Sequence, residues 1–165
     1  DILSLMAFRP LINGDPSPMD RRLFMPETMG LKEDLLTLPL EERLTYDPAE
    51  NLFFVNFEGF AVNTIDVVNR IDTAVSDILA PLGKRVYTIV NYDNFTILPD
   101  LVDAYTDMVK GLVDRFYSGV TRYTTSTFLR MKIGDALKQR NVAPHIYESR
   151  DEAREALRRG KGPGA

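Results

Sequence analysis

The placement of proline constrains this chain more than any other feature. Five of its ten prolines fall within the first 42 residues, at Pro10, Pro16, Pro18, Pro26 and Pro39. Each one fixes φ and removes an amide donor, which excludes long helices and central strands from that segment. The segment is nevertheless apolar, with Leu5, Met6, Phe8, Leu11, Ile12, Phe24 and Met29 among its residues, and such a composition is too hydrophobic for a free linker. Residues 1–42 are therefore expected to form an extended arm that lies on a surface. That surface is either the following domain or a body outside this chain. The arm region is also acidic: residues 1–50 carry ten Asp and Glu against five Lys and Arg, whereas residues 51–165 carry fourteen against fifteen.

From Arg43 the pattern becomes periodic. Arg43–Tyr46 and Leu52–Phe57 flank Asp47-Pro48-Ala49-Glu50-Asn51 and read as a hairpin. Phe53, Val55 and Phe57 would face one side and Leu52 and Phe54 the other, so both faces of the sheet are expected to be covered. Asn63 or Thr64 can cap a helix whose face is Val67, Val68, Ile71, Ala74, Val75, Ile78 and Leu79, stopped by Pro81 and Gly83. Arg85–Val90 reads as a buried strand broken by Asn91-Tyr92-Asp93-Asn94. Pro99 opens an amphipathic helix with Leu101, Val102, Tyr105, Val109, Leu112 and Phe116 inward, expected to end at Ser118-Gly119. A fourth strand follows over Val120–Thr124, then a helix capped by Thr125 or Ser126 with Leu129, Ile133, Ala136 and Leu137 inward. A fifth, short strand is expected over Val142–Tyr147, near an edge because of Pro144. Ser149 and Glu152 match a capping box and open a last helix with Ala153, Ala156 and Leu157 inward. Residues 160–165 read as a disordered tail. The order β-β-α-β-α-β-α-β-α predicts an α/β fold for residues 43–159, a mixed sheet of a hairpin followed by parallel strands, covered by helices.

Composition removes most chemistry. There is no cysteine, so disulfides, thiol nucleophiles, zinc–thiolate sites and iron–sulfur clusters are excluded. His145 is the sole histidine, which excludes a site with two histidine ligands in one chain and any histidine relay. The net charge of −4 and isoelectric point near 5.1 do not suit a nucleic-acid binder. No apolar run approaches the roughly 18 residues of a membrane span, and no signal peptide is visible. A cytoplasmic location and no membrane partner are the expectations. The chain begins at Asp1 rather than at methionine, which suggests a fragment or a processed chain.

Parallel strands place the loops that follow them on one rim, where open α/β sheets bind ligands. The loop after Val90 offers Asn91, Asp93, Asn94 and Thr96. The loop after the fourth strand offers Thr124, Thr125 and Ser126, with Arg130 just inside the next helix. Amides at a helix start, hydroxyls and an arginine suit an anion or a partner. The same residues also serve as helix caps and turns, with no ligand involved. His145 reads as a structural or surface residue, because no nucleophile or paired carboxylate accompanies it. Arg150, Arg154 and Arg158 recur at four-residue spacing, with Arg159 and Lys161 beyond. They could contact phosphates, or simply form a solvated face near a helix C-terminus. No glycine-rich phosphate loop is present.

Two resemblances accompany this reading. Met6-Ala7-Phe8-Arg9-Pro10-Leu11-Ile12, Met19-Asp20-Arg21-Arg22-Leu23-Phe24 and Met29-Gly30-Leu31 resemble the end of the acyl-CoA:acetate/3-ketoacid CoA-transferases of the bacterial propionate CoA-transferase type. The remainder, about residues 40–159, is similar in element order to the STAS-like fold of anti-sigma-factor antagonists. The first resemblance implies a parent enzyme that uses CoA and a glutamate nucleophile in an E-N-G-like stretch. Glu50-Asn51-Leu52 and Glu58-Gly59 do not keep that motif, so no catalytic residue is expected here. The second implies a phosphorylatable serine after the third strand, where Asn91-Tyr92-Asp93-Asn94-Phe95-Thr96 offers only Thr96 as an aliphatic hydroxyl.

The chain is thus expected to be a non-catalytic C-terminal structural or regulatory module of a CoA-transferase-like protein. Its cofactor content would be none, with CoA belonging to the parent. Its partners would be the missing catalytic domain and a second copy of itself as a homo-oligomer. The alternatives are a STAS-like signalling domain that binds a protein through the strand-end loops, and a small enzyme in its own right.

Overall fold

Leu44–Asp47 (β1) and Leu52–Asn56 (β2) pair antiparallel, with Leu44 opposite Val55 and Asp47 opposite Leu52. A 3-10 turn at Leu40–Arg43 precedes them, and the computed structural model describes residues 37–161 of the chain. The turn between them is built by side chains. Asp47 Oδ1 accepts the Ala49 amide at 2.9 Å, and Asn51 takes a positive φ of 51°. Asn51 also accepts from the Tyr46 hydroxyl at 2.9 Å and donates to the Arg85 carbonyl at 3.0 Å. These are the turn residues whose side chains can replace backbone partners.

Ala61–Val62 (β3) precedes the first helix, Ile65–Leu79 (α1). Thr64 caps it by accepting the Val67 amide at 3.3 Å. Its buried stripe of Val68, Ile71, Val75 and Leu79 is the one the spacing predicts, each side chain contributing about 1.5–3 kcal/mol on burial. The helix runs into a 3-10 turn and stops at Gly83, whose φ of 64° suits a residue without Cβ.

Val86–Asn91 (β4) pairs parallel with β2, and Thr96–Ile97 (β5) pairs parallel with β3 as a separate two-stranded ladder. A 3-10 turn at Pro99–Leu101 leads into Val102–Phe116 (α2), and Tyr117–Tyr123 (β6) pairs parallel with β4. Thr127–Gln139 (α3) and Arg150–Lys161 (α4) complete the fold. The main sheet has the order β1-β2-β4-β6. Its two crossovers advance in the same direction, which lays α1 and α2 on one face.

Both faces are covered, as the alternation in β2 implies. Phe53 and Val55 join Ile71, Val75, Val109, Leu112, Ile133 and Leu137 in the larger core beneath α1, α2 and α3. Leu52, Ile89 and Tyr123 pack on the opposite face against Ala153 and Leu157 of α4. The chain is therefore an α/β protein with a mixed sheet, a hairpin followed by parallel strands, as the sequence predicts.

Three details differ from expectation. The helix α2 stops at Phe116 and β6 begins at once at Tyr117, so Ser118 and Gly119 lie in the strand. Arg85 explains why no loop intervenes. Its guanidinium donates to the carbonyls of Val113 at 3.1 Å, Asp114 at 2.9 Å and Tyr117 at 3.3 Å, which satisfies the exposed end of the helix. The fifth strand over Val142–Tyr147 does not form. It shrinks to a single bridge between Tyr123 and Tyr147, because Pro144 has no amide to donate and Asn141 turns away with a φ of 55°. Finally, the last helix continues through Gly160 to Lys161. Ser149 does cap it, accepting the Glu152 amide at 3.2 Å, while Glu152 reaches back to the Glu148 amide at 3.1 Å, one residue beyond the partner of a regular capping box. The predicted arm lies outside the described residues except for residues 37–42, and residues 162–165 lie outside them as well.

Candidate functional site

The loops after β4 and β6 meet at the carboxyl end of the parallel strands. Asp93 Oδ1 accepts the Thr125 amide at 2.8 Å and the Thr125 hydroxyl at 3.2 Å. Thr124 is fully buried; its hydroxyl donates to the Tyr92 carbonyl at 3.3 Å and accepts the Ser126 amide at 3.2 Å. Ser126 caps α3 by accepting the Leu129 amide at 3.2 Å. Arg130 folds back from the first turn of α3 to the Thr124 carbonyl at 2.7 Å and the Thr127 hydroxyl at 3.1 Å, with Glu148 at 3.5 Å. Asp93, Thr124, Thr125, Ser126 and Arg130 are thus brought together.

Asn91 stands one step below, inside β4 and buried. It donates to Asn56 Oδ1 at 3.2 Å and Glu58 Oε2 at 3.3 Å and accepts the Asp93 amide at 2.9 Å. Asn94 and Thr96 are not part of the group. Asn94 sits exposed at the apex of the turn with a φ of 53°. Thr96 is exposed in β5, where its amide donates to the Phe60 carbonyl at 3.0 Å.

The chemistry of this rim is that of a clasp. The Thr125 N–H and O–H, which an anion would need, already serve the Asp93 carboxylate, and that carboxylate repels a second negative charge. The Arg130 guanidinium is committed to a carbonyl, a hydroxyl and Glu148. No group of three or more Asp, Glu or His side chains able to hold a metal occurs among the described residues, and no helix among them is long and apolar enough to cross a membrane.

Beside the clasp lies an unused apolar surface. Phe128 is 72% exposed and Met131 65% exposed, one turn apart on the outer side of α3. Lys132 stands over the Phe128 ring at 5.7 Å. The inward face of α3 is the predicted one, so these two residues are surplus to the core.

His145 is exposed and rests edge-on against Tyr147, with ring centroids 4.3 Å apart. Arg150 lies over the Phe54 ring at 5.2 Å, and Arg159 pairs with Glu155 at 3.6 Å. Arg154 and Arg158 border a cleft of about 120 Å³ with Glu50 and Leu157.

Two buried arginines escaped the sequence reading. Arg43, 1% exposed, donates to the carbonyls of Leu38 at 3.0 Å, Asn56 at 3.2 Å and Glu58 at 2.7 Å, and stacks over Phe60. Burial lowers its pKa, and Glu58 opposes the shift. Arg122, also 1% exposed, sits in β6 facing the larger core. Parity was the available signal: Val120 and Arg122 share one side of their strand, and Val120 is a core type.

Fold and site together define a small α/β domain with a mixed sheet and a hydrogen-bonded strand-end rim. Comparison with protein-family models, curated proteins and solved structures finds no match to the chain.

Proposed function

We propose that the chain is a non-catalytic interaction module that docks a protein partner through its strand-end rim and the outer side of α3. The observation that carries this reading is the pair Phe128 and Met131, two large apolar side chains left exposed beside a rim whose polar groups are already paired. Contiguous exposed apolar surface next to polar residues is the usual mark of a protein contact. The resemblance of residues 6–31 to the end of CoA-transferases supplies the partner: the catalytic body of an acyl-CoA:carboxylate CoA-transferase, which would also supply the CoA chemistry. A cytoplasmic setting belongs to the same proposal.

The test has two arms. The 165-residue chain is assayed for CoA transfer between acetyl-CoA and propionate, and no turnover is the expected result. Association with a CoA-transferase catalytic body is then measured by calorimetry, with Phe128→Ser/Met131→Ser expected to weaken it at least tenfold. Turnover by the chain alone, or unchanged affinity of the double variant, would overturn the reading.

A second reading, a STAS-like signalling domain, is supported by Asn94 and Thr96, whose exposed side chains the fold does not use. It requires a partner whose affinity falls on Asn94→Ala and Thr96→Glu.

A further inference from the structure

Arg122 poses a problem of charge. Its side chain is 1% exposed; Nη1 donates to the Ala143 carbonyl at 3.2 Å, and the guanidinium also interacts with the Tyr92 hydroxyl. Nε and Nη2 are buried without a hydrogen bond. Among the described residues Arg122 makes no ion pair. A guanidinium cannot shed its proton at ordinary pH. Burying an ion without a counter-charge costs several kcal/mol. A fold that keeps this residue in its core needs something to offset that cost.

The surroundings indicate what. Arg122 borders a small cavity of about 20 Å³ together with Tyr92, Tyr105 and Tyr117. These tyrosines are 1%, 1% and 7% exposed. The Tyr92 and Tyr105 hydroxyls share one hydrogen bond. One of the two phenol protons is used in that bond, and the other is free to point at a third acceptor. Burial raises the pKa of all three phenols and the Arg122 charge opposes the rise, so the guanidinium lies within electrostatic reach of each. The donors available are therefore the Nε and Nη2 N–H groups that the Tyr92 hydroxyl does not use, and a phenol O–H. The rest of the wall is apolar, with Val55, Val90, Val109 and Leu112.

We propose that this cavity between Arg122 and the tyrosine cluster is a binding site for one monatomic halide anion, chloride in ordinary salt. Size and charge select it. A cavity needs about 10–15 Å³ to hold one water-sized body, so 20 Å³ admits a single small sphere and excludes sulfate, phosphate and carboxylates. Water would fit but would bring no charge, and it would present protons of its own to a wall that offers mainly donors. A halide accepts from every donor present and neutralises the guanidinium. The apolar remainder of the wall favours weakly hydrated chloride and bromide over strongly hydrated fluoride. The anion would join β6 to the first turns of α2, so it acts as a structural ligand of the core and is independent of the rim.

The test uses the whole chain and halide salts as the probe. Thermal unfolding is followed in sodium chloride, bromide or fluoride, with ionic strength held constant by sodium gluconate. Chloride and bromide should raise Tm by roughly 3–6 °C in a saturable, millimolar dependence, and fluoride and gluconate should not. A crystal grown in bromide should show one anomalous peak between Arg122 and the phenols. Arg122→Met should lose the halide increment and be at least as stable as the wild type in gluconate. Tyr105→Phe, which keeps the shape of the core, should weaken the halide dependence several-fold and decides the matter if Arg122→Met does not fold. Ordered density without a bromide signal, a halide effect unchanged in either variant, or one that appears only at molar salt would overturn the proposal.

Discussion

Asp93 and Thr125, on two different strand-end loops, are tied by two hydrogen bonds to a single carboxylate oxygen, at 2.8 Å from the amide and 3.2 Å from the hydroxyl. The pair holds the start of α3 against the end of β4. Because Thr125 is exposed, each bond is worth only part of the 1.5–3 kcal/mol of a buried charged one. Asp93→Ala should cost about 1–2 kcal/mol in urea unfolding. Thr125→Val should cost less, since its amide keeps the carboxylate. The double variant should lose less than the sum of the two, because both delete the hydroxyl contact. Additive losses would show that the two loops are not joined through this pair.

Arg43 is the larger liability. Its guanidinium serves carbonyls on the segment before β1 and on the segment after β2, so one side chain closes the outer end of the hairpin. Arg43→Met keeps much of the stem and its packing on Phe60, but leaves buried carbonyls unpaired. A loss of about 3 kcal/mol or more follows from the penalty of roughly 1–3 kcal/mol per orphaned group. Arg43→Lys should recover only part of it, since a point-like ammonium cannot reach three carbonyls in a fork. The equilibrium urea midpoint checks both.

How much of this was legible in the sequence depends on the distance over which each signal acts. Local signals were legible. Thr64 and Ser126 are caps, Pro81 and Gly83 form a stop, and the three- and four-residue spacing of α1, α2 and α3 turned inward as read. The β3–β5 ladder was not legible, because two residues per strand carry no periodicity and the pairing of Ala61 with Thr96 spans the whole of α1 and β4. The junction at Tyr117 was misread for the same reason. Ser118-Gly119 looks like a helix stop, but Arg85, more than thirty positions away, determines where the helix ends. At the rim, the residue types were found, but their mutual commitment was not. Sequence places Asp93 and Thr125 on one edge, and only the fold shows that each consumes the other.

The buried phenols predict sensitivity to alkali. Tyr92, Tyr105 and Tyr117 are held by burial above the usual value of 10.0, Tyr105 well above it. On the other face, at the end of β6, Tyr123 is pushed up to about 12, again chiefly by burial. In the unfolded chain these groups ionise near pH 10, so above that pH the unfolded state binds fewer protons than the native state, and stability falls as pH rises. Below pH 10 the phenols contribute no slope. With these four groups the slope approaches about 5 kcal/mol per pH unit between pH 10 and the Tyr123 value. Unfolding free energies measured from pH 8 to 11.5 should be flat at first and then drop steeply. Tyr117→Phe should reduce the steep limb by about a quarter.

Two glycines in helices make opposite predictions from the same substitution. Alanine is favoured over glycine in a helix interior by about 1 kcal/mol. At Gly111 in α2 a new Cβ would meet only the Arg115 side chain, at an ordinary 3.8 Å. Gly111→Ala should therefore stabilise by about 0.5–1 kcal/mol. At Gly134 in α3 the Cβ would come within 3.0 Å of the Pro144 carbonyl oxygen, a backbone atom of the segment that returns beside β6. That segment is held nearby by the Tyr147 amide on the Arg122 carbonyl at 2.7 Å and by the Arg122 guanidinium on the Ala143 carbonyl, so it cannot retreat freely. Gly134→Ala should lose its helical advantage and destabilise by about 1 kcal/mol, within the usual cost of overpacking. If both variants gained stability by the same amount in thermal unfolding, the close passage of Pro144 over α3 would not be a constraint, and the strand expected at Val142–Tyr147 would have failed for reasons of its own amides alone.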